Sequence, residues 1–228
     1  VNPTQFNDAN DLAKYPKNIE KDLEILTPYN KKLIVYTPND SDLYTKDINP
    51  KKYDFGSLAL HMEGAFRDNH FNGVATVVEA LFRNLKPDRA YFGEKDFQQL
   101  QIIKALNDQL NLRIKIIGCP VIREIDGIAM SSRNQHLNKR ERNVAPIIFK
   151  TLRKIDENSD HWDVNYMTNF FKKSVEENSF LRVEYFFVAE EATLIPVKSL
   201  KKQNIYRIFV AVNAGKTRLI DTLKLGGI

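Results

Sequence analysis

Cysteine is almost absent from the 228-residue chain, in which Cys119 stands alone. An internal disulfide is therefore impossible, which favours a reducing compartment and predicts a cytoplasmic protein. His61, His136 and His161 lack the spacing of metal ligands, and this argues against a structural zinc site. No apolar run approaches the ~20 residues that a membrane helix needs, so the sequence predicts no membrane-spanning segment.

Glycine and proline are also sparse, at nine residues each, while 43% of the residues are hydrophobic and 11% are aromatic. This composition excludes a disordered, collagen-like or low-complexity chain, and the length suffices for a substantial core. Thirty-four Lys and Arg against 29 Asp and Glu give a net charge of +5. So small a surplus suits anionic small molecules and nucleic acids equally, and both remain open at this point.

Hydrophobic periodicity in the first half alternates between strand and helix. A helix is predicted at 19–26, a strand at 33–36, a helix at 74–85, a strand at 89–92, a helix at 97–110 and a strand at 112–117. Such alternation is typical of a parallel sheet with crossover helices. It predicts an α/β domain over residues 1–120.

The pattern changes after Pro120. We predict a hairpin at 121–130, helices at 139–155 and 163–177, and strands at 182–189, 206–212 and 217–221. Strands grouped in this way favour a smaller α+β domain with an antiparallel sheet over residues 121–228.

The sequence GEKDFQQ at residues 93–99 is the most informative motif, because it follows a predicted strand and precedes a helix. Ligands bind outside the carboxyl ends of the strands in parallel sheets. There Lys95 and the helix-opening amides can bind a phosphate, Asp96 can accept from a ribose hydroxyl, and Gln99 faces the same cleft. The alternative is an ordinary helix N-cap with solvated charges.

The sequence MSSRN at residues 130–134 follows the predicted hairpin. Two hydroxyls and the Arg133 guanidinium on successive residues can hold a triphosphate, although a plain polar loop has the same composition. Arg67 and His70 could bind an anion before the helix that starts near Asn72, its candidate N-cap. The basic run at residues 139–142 resembles a nucleic-acid-binding patch. Glu141 interrupts the run, however, which favours a solvated helix face.

These motifs together resemble the pantothenate synthetase (pantoate–β-alanine ligase) family. The resemblance rests on an ordered set that spans nearly the whole chain: VNPTQF at 1–6, Tyr15-Pro16, Glu63-Gly64, His70-Phe71, Gly73-Val74, GEKDFQQ at 93–99, MSSRN at 130–134 and RLID at 218–221.

The resemblance implies a Rossmann-like nucleotidyltransferase domain followed by a smaller lid, in a cytoplasmic homodimer that binds neither membrane nor nucleic acid. It implies an ATP-dependent condensation of pantoate with β-alanine through a pantoyl adenylate, with release of AMP and pyrophosphate. Mg²⁺ would be held through the ATP phosphates rather than by a protein metal site.

The resemblance also assigns residue roles. ATP would be bound by Gly93, Glu94, Lys95, Asp96, Ile122 (through its backbone), Met130, Ser131, Ser132 and Arg133. Among these, Lys95, Ser131, Ser132 and Arg133 would stabilise the phosphates in the transition state. Pantoate and β-alanine would be bound by Gln5 and Gln99, together with Asn2, Arg67 and His70.

Two departures from the family pattern stand out. Asp68-Asn69 replaces the Pro-Gly that usually precedes the motif histidine, which puts an acid beside Arg67 and His70. The family's first strand and its His-x-Gly-His phosphate motif should precede Val1. We therefore expect the natural protein to be longer, and this 228-residue chain to ligate poorly or not at all.

Three other functions remain compatible with the sequence. The chain could be an adenylate-forming nucleotidyltransferase for a different small acid, a nucleic-acid-binding module suggested by its basic pI, or a scaffold that binds ATP without turnover.

Overall fold

The structure is a computed structural model that describes residue 15 and residues 18–29, 32–43 and 50–226. These fall into two compact units, one within 1–53 and 69–86 and the other within 54–68 and 87–228. Each unit is described by itself. The domain boundary at residue 120 stays a prediction.

The helices are α1 (Ile19–Leu26), α2 (Asp40–Leu43), α3 (Glu63–Phe66), α4 (His70–Leu85), α5 (Phe97–Gln109), α6 (Lys139–Val144), α7 (Ile147–Asp156) and α8 (Val164–Glu176). The strands are β1 (Arg89–Gly93), β2 (Lys115–Cys119), β3 (Leu181–Glu190), β4 (Tyr206–Ala214) and β5 (Thr217–Lys224). Short 3-10 turns lie at Gly56–Ala59, Glu94–Asp96 and Ser132–His136.

In the first unit, α4 begins earlier than its hydrophobic stripe predicts. Asn69, in the left-handed conformation, is its N-cap, so the assignment of Asn72 to that position is wrong. Asn72 lies in the first turn, where its Oδ1 accepts a hydrogen bond from the Tyr53 backbone N–H at 3.0 Å. The Asn72 side chain therefore binds the backbone at Tyr53 and does not cap the N-terminus of α4.

A second expectation for the first unit is also wrong. Residues 33–36, predicted as a buried strand, have no regular secondary structure, and Ile34 is 90% exposed. A strand needs a hydrogen-bonding neighbour, and no described strand lies beside this segment.

The parallel pair β1 and β2 belongs to the second unit, where α5 connects the two strands. Their register runs from Arg89 opposite Lys115 to Gly93 opposite Cys119, so the parallel arrangement is confirmed. The second strand starts three residues later than predicted. Asn111 and Arg113 have positive φ angles of 50° and 60°, which break an extended strand.

The three remaining strands form the predicted antiparallel sheet, and their order is β3-β4-β5. Successive residues of β4 face opposite sides of this sheet. Val210 and Val212 lie in a core with residues of α7 and α8, whereas Phe209 and Ala211 pack with Phe97 and other residues of α5. The antiparallel sheet is thus covered on both faces within the second unit.

Two local expectations for residues 121–155 need correction. The long helix predicted over 139–155 is two helices, because Pro146 is the N-cap of α7 and cannot continue α6. The predicted hairpin is reduced to an isolated bridge between Arg123 and Ala129, closed by a turn in which Gly127 has a φ of 95°.

Candidate functional site

The carboxyl end of β1 opens directly into the first candidate loop. Gly93 ends β1, the turn Glu94–Asp96 follows, and α5 begins at Phe97. Gly93 has ordinary extended angles (φ −69°, ψ 131°), so its backbone does not require glycine. No described atom lies within 4 Å of the position that a Cβ would take there. The missing side chain instead leaves room beside the strand end for a ligand to approach the backbone.

Lys95 and Asp96 are neighbouring charged residues in this turn, and Asp96 is the more exposed of the two. Lys95 Nζ lies 3.6 Å from Asp96 Oδ1, and the two side chains are 19% and 48% exposed. Asp96 occupies the N-cap position of α5, but its carboxylate accepts no capping hydrogen bond in the described chain. Gln99 lies in the first turn of α5 and is half-buried. The turn therefore presents a cation and an acceptor that local capping does not use.

The second candidate loop is organised by hydrogen bonds across its base. The Met130 backbone N–H donates to the Ile122 carbonyl at 2.9 Å, and the Arg133 N–H donates to Ser131 Oγ at 3.2 Å. Ser131 thereby caps the 3-10 turn Ser132–His136. A cavity of about 570 Å³ opens beside this loop and is lined by Glu124, Met130, Ser131, Ser132, Asn134, Gln135 and Arg142.

Strand β5 brings the two loops together, because it contacts both the turn Glu94–Asp96 and the turn Ser132–His136. Asp221 in β5 is buried, and Arg123 donates to both of its carboxylate oxygens at 2.7 and 2.9 Å. Burial raises the pKa of Asp221, while the charges of Arg123 and Lys95 oppose the rise. The Arg123 guanidinium also lies 3.5 Å from the centre of the Phe149 ring.

A second ion-pair cluster lies at Glu63, the first residue of α3. Arg218 Nη1 and Nη2 donate to its two oxygens at 2.9 and 2.7 Å, and the Tyr185 hydroxyl donates to it at 2.8 Å. Burial by itself would raise the pKa of Glu63, but hydrogen bonding and charge from Arg218 hold it below its usual value. Glu184 accepts from Arg218 Nε at 2.8 Å.

Arg67 lies at the edge of this second cluster, with its Nη1 3.6 Å from Glu63 Oε2. Burial lowers the pKa of Arg67, Glu63 opposes this, and the positive charges of Arg218 and Arg133 lower it further. The charge of Arg133, a residue predicted from a separate motif, therefore acts on Arg67. His70 is buried at the start of α4, in the other unit. Asn2 and Gln5 lie outside the described residues.

The basic run at residues 139–142 does not form a free cationic patch. Arg142 donates to Glu124 at 2.7 Å and also to Asp126. Glu141 closes a capping box with Asn138 at the start of α6. The acids beside these residues weaken the field that a nucleic-acid backbone would need, which favours the solvated-face interpretation.

Sequence reasoning assigned no role to Arg123, Glu63 or Arg218, although Arg218 and Asp221 belong to the quoted RLID motif. The sequence signal that could have identified them is the presence of two charged residues, Arg218 and Asp221, among the apolar and neutral residues in the interior of β5. Charges on buried strands are almost always paired, and each pair here joins distant parts of the chain.

A profile of the pantoate–β-alanine ligase family matches residues 1–224. The chain belongs to this family. It is 42% identical to the pantothenate synthetase of Christiangramia forsetii and 41% identical to that of Flavobacterium psychrophilum, each over 99% of this chain and 80% of the relative. Among solved structures, the pantothenate synthetase of Thermus thermophilus superposes with a TM-score of 0.90 at 32% identity, over 98% of this chain and 80% of that one.

A further solved relative is the pantoate–β-alanine ligase of Francisella tularensis, described as complexed with β,γ-ATP and β-alanine. It superposes with a TM-score of 0.78 at 32% identity, over 98% of this chain and 76% of that one. The predicted family, α/β fold class and enzyme class are therefore confirmed: the chain is a pantoate–β-alanine ligase family member. None of its described helices is long and apolar enough to cross a bilayer.

Proposed function

We propose that the protein ligates pantoate with β-alanine in two steps that share one ATP site. The pantoate carboxylate attacks the α-phosphorus of ATP, which forms pantoyl adenylate and releases pyrophosphate. The β-alanine amine then attacks the acyl carbon and releases AMP. The observation that carries the proposal is the convergence of two cation-bearing turns on β5, at the carboxyl end of a parallel strand.

Lys95 and Arg133 supply the charge that this chemistry needs. Attack on the α-phosphorus builds negative charge on the phosphate oxygens, so catalysis depends on positioning and on cationic stabilisation. We assign Lys95, Ser131, Ser132 and Arg133 to the triphosphate. Repulsion between Arg133 and Arg67 supports this assignment, because a bound polyanion would relieve it.

The nucleoside would lie between the two loops. Asp96, whose carboxylate makes no capping bond within the described residues, would accept from a ribose hydroxyl. The Ile122 backbone and Met130, already joined by a hydrogen bond, would frame the adenine. Gly93 and Glu94 would shape the turn beneath the phosphates.

Pantoate and β-alanine would lie on the Gln99 side of the turn. An amide can donate to a carboxylate and accept from a hydroxyl, the two groups that pantoate carries. Gln5 would share this role, with Asn2, Arg67 and His70 as further candidates for the small acids.

Magnesium fits this site as a companion of ATP. The described residues contain no group of three or more His, Cys, Asp or Glu side chains that could hold a metal ion. Mg²⁺ on the triphosphate would neutralise charge on its oxygens, while Lys95 and Arg133 act from the protein side. We further propose a cytoplasmic homodimer in which residues 121–228 cover the nucleotide.

Pyrophosphate release tests the reaction. Assayed with the full-length protein, ATP and pantoate alone should give a stoichiometric burst of pyrophosphate, and AMP should follow only when β-alanine is added. ATP–pyrophosphate exchange should be far slower with each of a panel of other small hydroxy acids than with pantoate. Equal exchange with another acid would assign the protein to a different adenylating reaction, and salt-sensitive binding of oligonucleotides would favour the nucleic-acid interpretation.

Gly93→Ala tests the close approach of ATP to the strand end. The free energy of unfolding should stay level or rise by up to about 1 kcal/mol, because alanine fits the observed φ and ψ. The dissociation constant of Mg-ATP, measured by calorimetry, should rise about tenfold, equivalent to about 1.4 kcal/mol.

Gly226→Ala is the matched control, because its added Cβ would meet only Asp156 Oδ1, at 3.9 Å. It should leave ATP affinity unchanged. Equal ATP affinity in the Gly93 variant would remove Gly93 from the proposed site.

A further inference from the structure

The turn that carries Lys95 and Asp96 is not fixed by its own sequence. Neither Gly93 nor Asp96, which precede the 3-10 turn and α5, provides a side-chain capping bond within the described chain. An uncapped turn between a strand and a helix has several accessible conformations, and each ordered residue loses conformational entropy. Something outside the motif must hold the turn if Lys95 is to point steadily at a phosphate.

Arg207, the second residue of β4, contacts both residues that flank Lys95 and Asp96. Its Nη2 donates to Glu94 Oε2 at 3.2 Å, and its Cζ lies 3.9 Å from the centre of the Phe97 ring. The Arg207 side chain is only 5% exposed. A desolvated guanidinium binds a carboxylate and an aromatic face more strongly than an exposed one does.

The Arg207 guanidinium is itself held on its other side by Glu191. Arg207 Nε and Nη2 donate to Glu191 Oε1 at 3.0 and 2.7 Å. Phe97 also packs near Phe209, which is two residues further along β4 on the same face, with ring centres 6.1 Å apart. The central strand of the antiparallel sheet thus supplies a rigid support for the turn.

The Glu94 side chain lies against Gly118 of the neighbouring strand β2. Its Oε1 and Cγ lie 3.0 and 3.2 Å from the position that a Cβ on Gly118 would take. The side chain therefore fills the space above Gly118 and reaches Arg207. These contacts with Gly118 and Arg207 make Glu94 an anchor of the turn.

We propose that Arg207 is a positioning residue for ATP, which acts through Glu94 and Phe97 to hold Lys95 and Asp96 towards the phosphates and the ribose. This inference rests on the proposed ATP site. The contacts of Arg207 are with Glu94, Phe97 and Glu191, so it would act through the turn and not on a substrate directly. Its contribution is that the turn is already ordered when ATP arrives, so that less entropy is lost on binding.

The test compares neutralisation of the two Arg207 partners. Glu94→Gln weakens the link to the turn, whereas Glu191→Gln, the matched control, neutralises the other carboxylate of the same guanidinium. Both variants should lose similar thermal stability. Only Glu94→Gln should raise the Mg-ATP dissociation constant about tenfold in calorimetry, with the KM for β-alanine within twofold of the unaltered enzyme.

Arg207→Lys tests the route, because lysine keeps the charge but loses the planar fork. It should weaken Mg-ATP binding as Glu94→Gln does. In the double variant Glu94→Gln/Arg207→Lys, the Mg-ATP dissociation constant should exceed that of either single variant by no more than twofold. Three results would each overturn the inference: unchanged ATP affinity in folded Glu94→Gln, an equal loss in Glu191→Gln, or additive losses in the double variant.

Loss of ATP binding in Lys95→Ala together with normal binding in Glu94→Gln would reject only the role of Arg207. Normal binding and normal pyrophosphate release in both variants would reject the proposed ATP site as well.

Discussion

Lys95→Ala should lower the rate of pyrophosphate release from ATP and pantoate by about 10²- to 10³-fold. That is the usual effect of removing one preorganised group that stabilises charge in a transition state. The fold should survive, because the ion pair of Lys95 within the described chain is with the half-exposed Asp96 at 3.6 Å. A long pair with a half-exposed partner contributes at most about 1 kcal/mol to the free energy of unfolding. Rapid-quench measurement of pyrophosphate, alongside thermal unfolding, checks both parts.

Lys104→Ala is the control for charge, since Lys104 lies in α5, the helix that follows the Lys95 turn. It removes the same unit of positive charge from a residue outside the proposed phosphate site and should leave the rate within twofold. A Lys95 variant that releases pyrophosphate at the normal rate would show that the turn does not face the phosphates.

Arg123→Ala should lower the free energy of unfolding by about 3–5 kcal/mol, the usual cost of leaving a buried charge without its partner. Asp221, with its side chain 4% exposed, would keep the hydrogen bond from the Thr222 backbone N–H but lose both bonds from the guanidinium. Contact of the guanidinium with Phe149 would also be lost. Urea denaturation at pH 7.5 measures the loss.

Burial already raises the pKa of Asp221, and removal of Arg123 should raise it further, because the hydrogen bonds and charge of Arg123 now oppose that rise. A carboxyl whose folded-state pKa lies above its unfolded value binds protons on folding, so the variant gains stability relative to the unaltered protein as pH falls. The loss of unfolding free energy caused by Arg123→Ala should therefore be smaller at pH 5 than at pH 7.5.

Arg153→Ala is the control for Arg123→Ala. It breaks the Arg153–Glu157 pair, in which both side chains are 57% exposed, and should cost at most about 1 kcal/mol. If the two variants lose similar unfolding free energy, the buried Arg123–Asp221 pair stabilises the fold no more than an exposed pair does.

Hydrophobic periodicity predicted the long elements well, because their apolar stripes match what the core buries. The stripes of α4 and α5 are examples, as are the strands of the antiparallel sheet. It failed at residues 33–36, where an apolar run predicts a strand only if a hydrogen-bonding neighbour exists. It also failed at Pro146, where two amphipathic helices with matching stripes read as one.

The loops of the proposed site could be predicted from the sequence, whereas the residues that support these loops could not. Strand-end position and residue chemistry pointed to Lys95, Asp96 and Arg133, because a ligand-facing turn carries its function in adjacent residues. Arg207, Arg123 and Glu63 act through partners on other elements. Only a fold brings such residues together, and no local pattern in one sequence encodes those pairs.

The ion pairs around the site also set an order of assembly during synthesis. Glu94 and Arg207 are 113 residues apart, Arg123 and Asp221 are 98 apart, and Glu63 and Arg218 are 155 apart. A ribosome delivers the chain from its N-terminus, so β1, α5 and β2 emerge long before β4 and β5. The emerging chain therefore exposes charges whose partners are not yet made. The proposed nucleotide site is completed only when β4 and β5 have been synthesised and have folded against it.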